Sequence, residues 1–133
     1  MPHESYLTDV VTKNTDRSVE QTVARFVEII STRALKLFAL VDQRQEATLV
    51  GLNLRESVLL FFGDPRVGTE VMDASPLAGL DFPLKVLVWS DGESTRVSYE
   101  PPELLARRHR LQGDLVAELE HINVLTDALI GPL

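Results

Sequence analysis

The chain has no cysteine, so it can form no disulfide, carries no thiolate nucleophile and cannot hold zinc through sulfur. That fits a reducing compartment, and a cytoplasmic location is the expectation. Long apolar runs are missing too: none approaches the ~20 residues that span a bilayer. The opening stretch MPHESYLTDV lacks the basic-then-apolar plan of a secretory signal. Positive charge is scarce, with 13 basic against 20 acidic residues and a net charge of -7. Nucleic acid and anionic membrane both require a positive field, so neither is an expected partner. The three histidines, His3, His109 and His121, are scattered and show no paired metal-ligand spacing. There is no GxSxG nucleophile turn, no P-loop lysine and no dinucleotide glycine pattern. No metal or cofactor is implied.

What is present suits one ordinary domain spanning residues 1–133, since 133 residues can bury a core without staples. Residues 1–5 read as a tail. Tyr6 to Lys13 is β-prone and reads as a strand near a sheet edge. Ser18 and Gln21 have capping-box spacing, and Val19, Val23, Phe26, Val27, Ile30 and Ala34 follow as a helical stripe. Leu35 to Val41 is a short apolar run that reads as a strand covered on both faces. Together these three segments would make a parallel crossover unit. Asp42 to Val50 reads as a short helix ended by Gly51.

Ser57 to Phe62, SVLLFF, carries no charge and reads as the centre of the sheet. Leu84 to Ser90 and Thr95 to Glu100 form a hairpin around Asp91-Gly92. Pro101-Pro102 opens a short helix, and the cations Arg107, Arg108, His109 and Arg110 suit its C-terminal dipole. Residues 113–131 read as a C-terminal amphipathic helix capped by Asp114, with Leu115, Leu119, Ile122, Leu125 and Leu129 on one face. The fold class expected is α+β: a two-layer sandwich with a mixed sheet of about five strands covered by helices.

The stretch Leu59 to Thr69, LLFFGDPRVGT, organises the rest. A buried strand stops at Gly63, Asp64 stands at a helix N-cap, and Pro65 takes the first helical position, where its missing N–H costs nothing. Strand ends that feed helices are where α/β proteins place ligands. The carboxylate of Asp64 competes with any external anion for the free backbone donors, while Arg66 and Thr69 remain able to hold a small carboxylate or sugar. Glu70 and Asp73 share a helix face and read as solvated, and Trp89 and Tyr99 on adjacent strands read as packing residues.

FFGDPRVGT, Met72, the run Leu80 to Val88 and Ser98-Tyr99 together resemble the domain of unknown function 302 family. The resemblance implies a compact α/β fold, frequent dimers and no agreed activity. Two positions depart from the family pattern: Asp42-Gln43 replaces Asp-His, and Gly63-Asp64-Pro65 replaces Gly-Asn-Pro. Gln43 neither titrates near neutrality nor ligates metal well, so a histidine-based activity is not carried over.

The functional expectation is therefore small-molecule binding at the GDPRVGT turn by Asp42, Gln43, Gly63, Asp64, Arg66 and Thr69. The alternatives are a small enzyme at the same place with Asp64 or Asp42 as general base, and an interaction module acting as a homodimer. The carboxylates discriminate: a base would be buried with a raised pKa, a cap would have it lowered. The partner expected is a second copy of the chain, with the broad apolar face of the last helix (Ile122, Val124, Leu125, Ala128 and Ile130) as a candidate contact.

Overall fold

A computed structural model describes residues 9–132. The tail expected over residues 1–5 lies outside them, and so does the start of the predicted first strand. Five strands, β1 (Val11–Thr15), β2 (Lys36–Asp42), β3 (Ser57–Gly63), β4 (Leu84–Ser90) and β5 (Thr95–Tyr99), form one sheet in the order β1-β5-β4-β3-β2. The α+β two-layer class holds, but every adjacent pair is antiparallel. The expected parallel crossover is absent because β1 and β2 lie at opposite edges. The helix between them, α1 (Val19–Thr32), has to cross the sheet. β3 is second from the edge, and β4 takes the centre.

The capping box expected at Ser18 forms. Ser18 Oγ accepts from Gln21 N and Gln21 Oε1 accepts from Ser18 N, both at 3.0 Å. α1 buries Val19, Thr22, Phe26 and Ile30, and Phe26 meets Phe62 edge to face with centroids 5.0 Å apart. Asp42 caps α2 (Gln43–Leu49) by accepting from Gln45 N at 3.0 Å. Gly51, at φ 78, then ends that helix: Gly51 N donates to Thr48 O and Leu52 N to Ala47 O, the paired bonds of a Schellman turn. In the β4–β5 turn, Asp91 Oδ1 accepts from Glu93 N and Ser94 N, both at 2.8 Å, and Arg96 Nε donates to Oδ2 at 2.6 Å.

The sheet is covered on one face. Leu60, Phe62, Val86, Val88, Val97 and Tyr99 point into a cluster shared with α1 and the last helix. Residues of the opposite face, among them Leu59, Phe61, Leu87 and Trp89, are half-buried and belong to neither buried cluster. A second cluster joins α3 (Pro65–Ala74), a 3-10 turn (Pro76–Leu80), α4 (Pro102–His109) and α5 (Asp114–Leu119).

The C-terminal helix expected over residues 113–131 is two helices, α5 and α6 (His121–Ile130), meeting at Glu120. Gly113, at φ 63, is the N-cap; Asp114 sits in the first turn and caps nothing with its side chain. α6 is tied to the N-terminal part of the chain. Lys13 Nζ donates to Thr126 Oγ1 at 2.6 Å and pairs with Asp127 at 2.8 Å. Arg17 Nη1 and Arg25 Nε donate to Leu129 O at 2.9 and 3.1 Å, and Arg25 Nη2 to Ala128 O at 2.9 Å. Two guanidinium groups thus occupy carbonyls that the end of α6 leaves without helical donors. No helix among the described residues is long and apolar enough to cross a membrane.

β2 departs furthest from expectation. Read as covered on both faces, it is an edge strand with Phe38, Leu40 and Val41 exposed. Conversely, the apolar face of α6 is largely consumed by the core: Ile122, Leu125 and Leu129 are buried and only Val124 of the widened face is exposed.

The alternation along β3 makes a direct prediction. Leu60 is fully buried on the helix side while its neighbour Phe61 faces the open side. Leu60→Ala should cost ~2–5 kcal/mol in urea denaturation, whereas Phe61→Ala should cost less than about half as much despite the larger side chain. Equal losses would mean that both faces of the sheet are covered.

Candidate functional site

The two clusters do not merge over the carboxyl end of β3. Between them lies a cavity of about 890 Å³, bounded by the end of α1, the start of β2, the β3–α3 turn, the segment 82–84 and the α5–α6 junction. This is within the range of small-molecule sites. Leu84 packs against both clusters and forms part of the floor. Phe62, Ile122 and Leu125 face the cavity from the sheet cluster, and Val67 and Leu119 from the other. Phe38 and Met72, both partly exposed, stand at the flanks. The wall is thus mainly apolar. Its polar groups are few: Arg33 at the C-cap of α1, Asp64, Thr69, and the pair Glu118–His121, whose Oε2 and Nδ1 atoms are 3.5 Å apart.

Of the six residues singled out in sequence, the fold brings Gly63, Asp64 and Thr69 to this cavity. Asp64 is the N-cap of α3: its Oδ1 accepts from Arg66 N at 2.9 Å, and Arg66 Nε lies 3.3 Å away. That backbone N–H, aided by the Arg66 side chain, holds the Asp64 carboxyl below its usual value. Thr69 Oγ1 donates to Pro65 O at 2.6 Å and keeps its lone pairs as acceptors. The side chain of Arg66 is 85% exposed and does not line the cavity.

Asp42 and Gln43 lie at the other end of the sheet. A parallel pair would have set the end of β2 beside the end of β3; the antiparallel pairing places Asp42 opposite Val58 at the beginning of β3. There Gln43 Oε1 accepts from Ser57 Oγ at 2.5 Å, and Asp42 serves α2.

Sequence reasoning missed most of the wall. Arg33, Phe38 and the α5–α6 residues are distant in the chain and carry no motif, and Phe82, though within the family run Leu80 to Val88, was not singled out as a site residue. One signal was available: the apolar face of the last helix is wider than a single stripe, because Leu119, Ile122 and Leu125 border the cavity as well as the core.

Other candidates resolve into structure. Of the basic cluster Arg107 to Arg110 only His109 is buried, and two of its members pair with one carboxylate: Arg108 Nη1 lies 2.9 Å and His109 Nε2 2.5 Å from Asp81 Oδ2. Burial works to raise the Asp81 carboxyl, but the hydrogen bonds from His109 and Arg108 outweigh it and hold the pKa below the usual value. Trp89 and Tyr99 occupy opposite faces of the sheet. Trp89 Nε1 donates to Ser98 Oγ at 2.9 Å with Arg96 over its ring, while buried Tyr99 donates to Asn123 Oδ1 at 2.6 Å. They form no shared stacking platform. Among the described residues, no group of three or more histidine, aspartate or glutamate side chains gathers where a metal ion could be held.

The cap makes a pH-dependent prediction. Asp64→Ala should lower the denaturation midpoint, and Asp64→Asn should keep most of it, because an amide oxygen still accepts from Arg66 N. Since the folded pKa is depressed, the advantage of Asp64 over alanine is full above the usual value of 3.8 and fades as the pH falls through the lower folded value. A midpoint difference between wild type and Asp64→Ala that is unchanged across that acid range would separate the carboxylate from the cap.

Comparison with known proteins places this geometry in a family. The chain is 33% identical over 103 residues to the fluoride-specific ion channel FluC 1 of Brucella suis biovar 1, covering 77% of this chain and 41% of that one. A Brucella abortus biovar 1 protein of the same name matches with the same identity over 38% of its length. The chain thus spans about two fifths of the curated relatives it matches. The crystal structure of an uncharacterised conserved DUF302 protein from Bacillus stearothermophilus superposes with a TM-score of 0.77, covering 92% of this chain and 95% of that one at 17% identity, which is a likeness of fold. The profile of the domain of unknown function DUF302 matches residues 11–129, nearly the whole described chain, and the protein belongs to that family.

Proposed function

We propose that the domain binds a small molecule in the cavity at the GDPRVGT turn. The observation that carries this reading is the cavity itself: about 890 Å³, walled by apolar side chains from both clusters, with a few polar groups beside them. The chemistry of the wall defines the ligand class. An apolar body fits against Phe62, Leu84, Ile122 and Leu125, and a polar or anionic end fits Arg33, the Thr69 hydroxyl and the His121 imidazole. Asp64 is poorly suited to be a general base here, because a base needs a pKa raised toward neutrality and that of Asp64 is moved the other way, while Asp42, the other candidate base, stands at the far end of the sheet.

The Brucella relatives support a second reading at the level of context. A channel needs membrane-spanning segments, and the described residues here have no helix able to supply one. The shared region then corresponds to a domain appended to the channel, and this chain to a related domain that works beside such a membrane protein. Its test lies in the relative: a Brucella protein lacking the matched region should still insert into membranes, and failure to do so would remove this reading.

Gly68 offers the test of the cavity. It lies within α3 and lines the cavity, and a Cβ added there meets only the flexible end of Met72, at 3.9 Å. Gly68→Ala should stabilise the fold by roughly 0.5–1 kcal/mol, since glycine is costly inside a helix. Gly68→Leu should fill part of the cavity while the protein stays folded. A thermal-shift screen of small amphiphilic carboxylates and neutral apolar metabolites should find compounds that raise the melting temperature of the wild type and act much less on Gly68→Leu. Equal shifts in both proteins would place the binding elsewhere.

A further inference from the structure

Most of the cavity wall is held by helices and strands, but Phe82 and Pro83 are not. They lie in the link between the 3-10 turn and β4, and the sheet takes hold only at Leu84, which pairs with Phe62. The main chain of the link has few ties. Asp81 N and Phe82 N both donate to Ala78 O, at 2.9 and 3.1 Å, and Pro83 has no N–H to donate.

A side chain holds the link instead. Asp81 Oδ2 accepts from both His109 Nε2 and Arg108 Nη1. The His109 side chain is 6% exposed and that of Asp81 15%. Hydrogen bonds to a carboxylate this far from water are strong ones, unlike those of an exposed ion pair. His109 is anchored in turn, because it ends α4, whose Leu105 and Ala106 belong to the second cluster. Asp81, Arg108 and His109 themselves lie outside the cavity wall. The partition is thin: Leu84 and Ile122 line the cavity on one side and, on the other, a void of about 10 Å³ bordered by Asp81, Lys85, Glu100 and Leu105.

We propose that His109 and Arg108 are positioning residues for the cavity: through Asp81 they fix Phe82, Pro83 and Leu84 in the shape that accepts the ligand. This role rests on the small-molecule reading of the cavity. An apolar wall binds through close contact, and a gap of ~0.5–1 Å already forfeits a quarter to a half of each contact's attraction. A wall segment with so few backbone ties therefore depends on what clamps it. The two donors differ in weight. His109 is buried, whereas the Arg108 side chain is 42% exposed and also lies 3.7 Å from Glu100. Loss of His109 has the larger effect.

The test uses 1-anilinonaphthalene-8-sulfonate, an apolar aromatic body with one anionic group, followed by its fluorescence. The wild type should bind it, and Gly68→Leu should weaken that binding, which assigns the probe to the cavity. His109→Leu keeps apolar bulk but cannot donate, and it should bind roughly tenfold more weakly while its circular dichroism spectrum stays unchanged. His109→Gln, whose amide still donates to Asp81, should bind close to wild type. In the probe-free His109→Leu protein, the Phe82 amide and Leu84 methyl resonances should move, and those of Val97 in the sheet core should not. Should His109→Leu fail to fold, Arg108→Met replaces it, with a several-fold loss of affinity expected. Cavity binding that the folded variant leaves at wild-type strength, or wall resonances that stay in place, overturns the proposal and leaves the cavity reading intact. His109→Gln as weak as His109→Leu also overturns it, because the donated bond would then not be what sets the wall. Probe binding that is absent, or indifferent to Gly68→Leu, fails the cavity reading itself, and the clamp's role falls with it.

Discussion

The fold depends on how its last helix is held. α6 ends with carbonyls that helix geometry cannot satisfy, and no basic residue of its own lies in its last turn. Arg17, just before α1, and Arg25, within it, supply the donors, while Lys13 on β1 grips the other side of the helix at Thr126 and Asp127. These bonds join segments more than a hundred residues apart and press Ile122, Leu125 and Leu129 onto the sheet. Burial of Ile122, Leu125 and Leu129 supplies most of the hold on this short helix, and these bonds fix its end against β1 and α1.

The cavity follows from the same constraint. Once α6 lies on the sheet, α5 must turn away at Glu120 to complete the second cluster around Val71, Ala78 and Leu105. Two cores that share Leu84 but diverge on either side of it leave a gap, and the β3–α3 turn forms its rim. The Asp64 cap fixes where α3 starts, and so where Val67, Gly68 and Thr69 stand. In this sense Asp64 is a positioning residue: its carboxylate is committed to the backbone, and the groups it places face the cavity.

The sheet carries a second asymmetry. Helices cover one face, a polar edge closes β1, and the apolar edge strand with its following helix remains uncovered. The same residues made β2 look buried on both faces when read as sequence. A short apolar run carries no mark of how many of its sides the rest of the chain covers.

What the sequence by itself determined was local. The capping box at Ser18, the cap at Asp64, the glycine stop at Gly51 and the Asp91 turn all depend on residues within a few positions of one another, so their chemistry can be read directly. Strand existence was equally legible, since it rests on short runs of apolar and β-branched residues. Tertiary structure alone decided the strand order, and with it the site. Asp42 and Gln43 were grouped with the GDPRVGT turn on the expectation of parallel strands, and antiparallel pairing sends them to the far end of the sheet. The break at Glu120 and the cavity wall from Arg33 to Leu125 likewise have no local signature. They arise from how separate apolar faces share a limited interior, which is settled only when the whole chain packs.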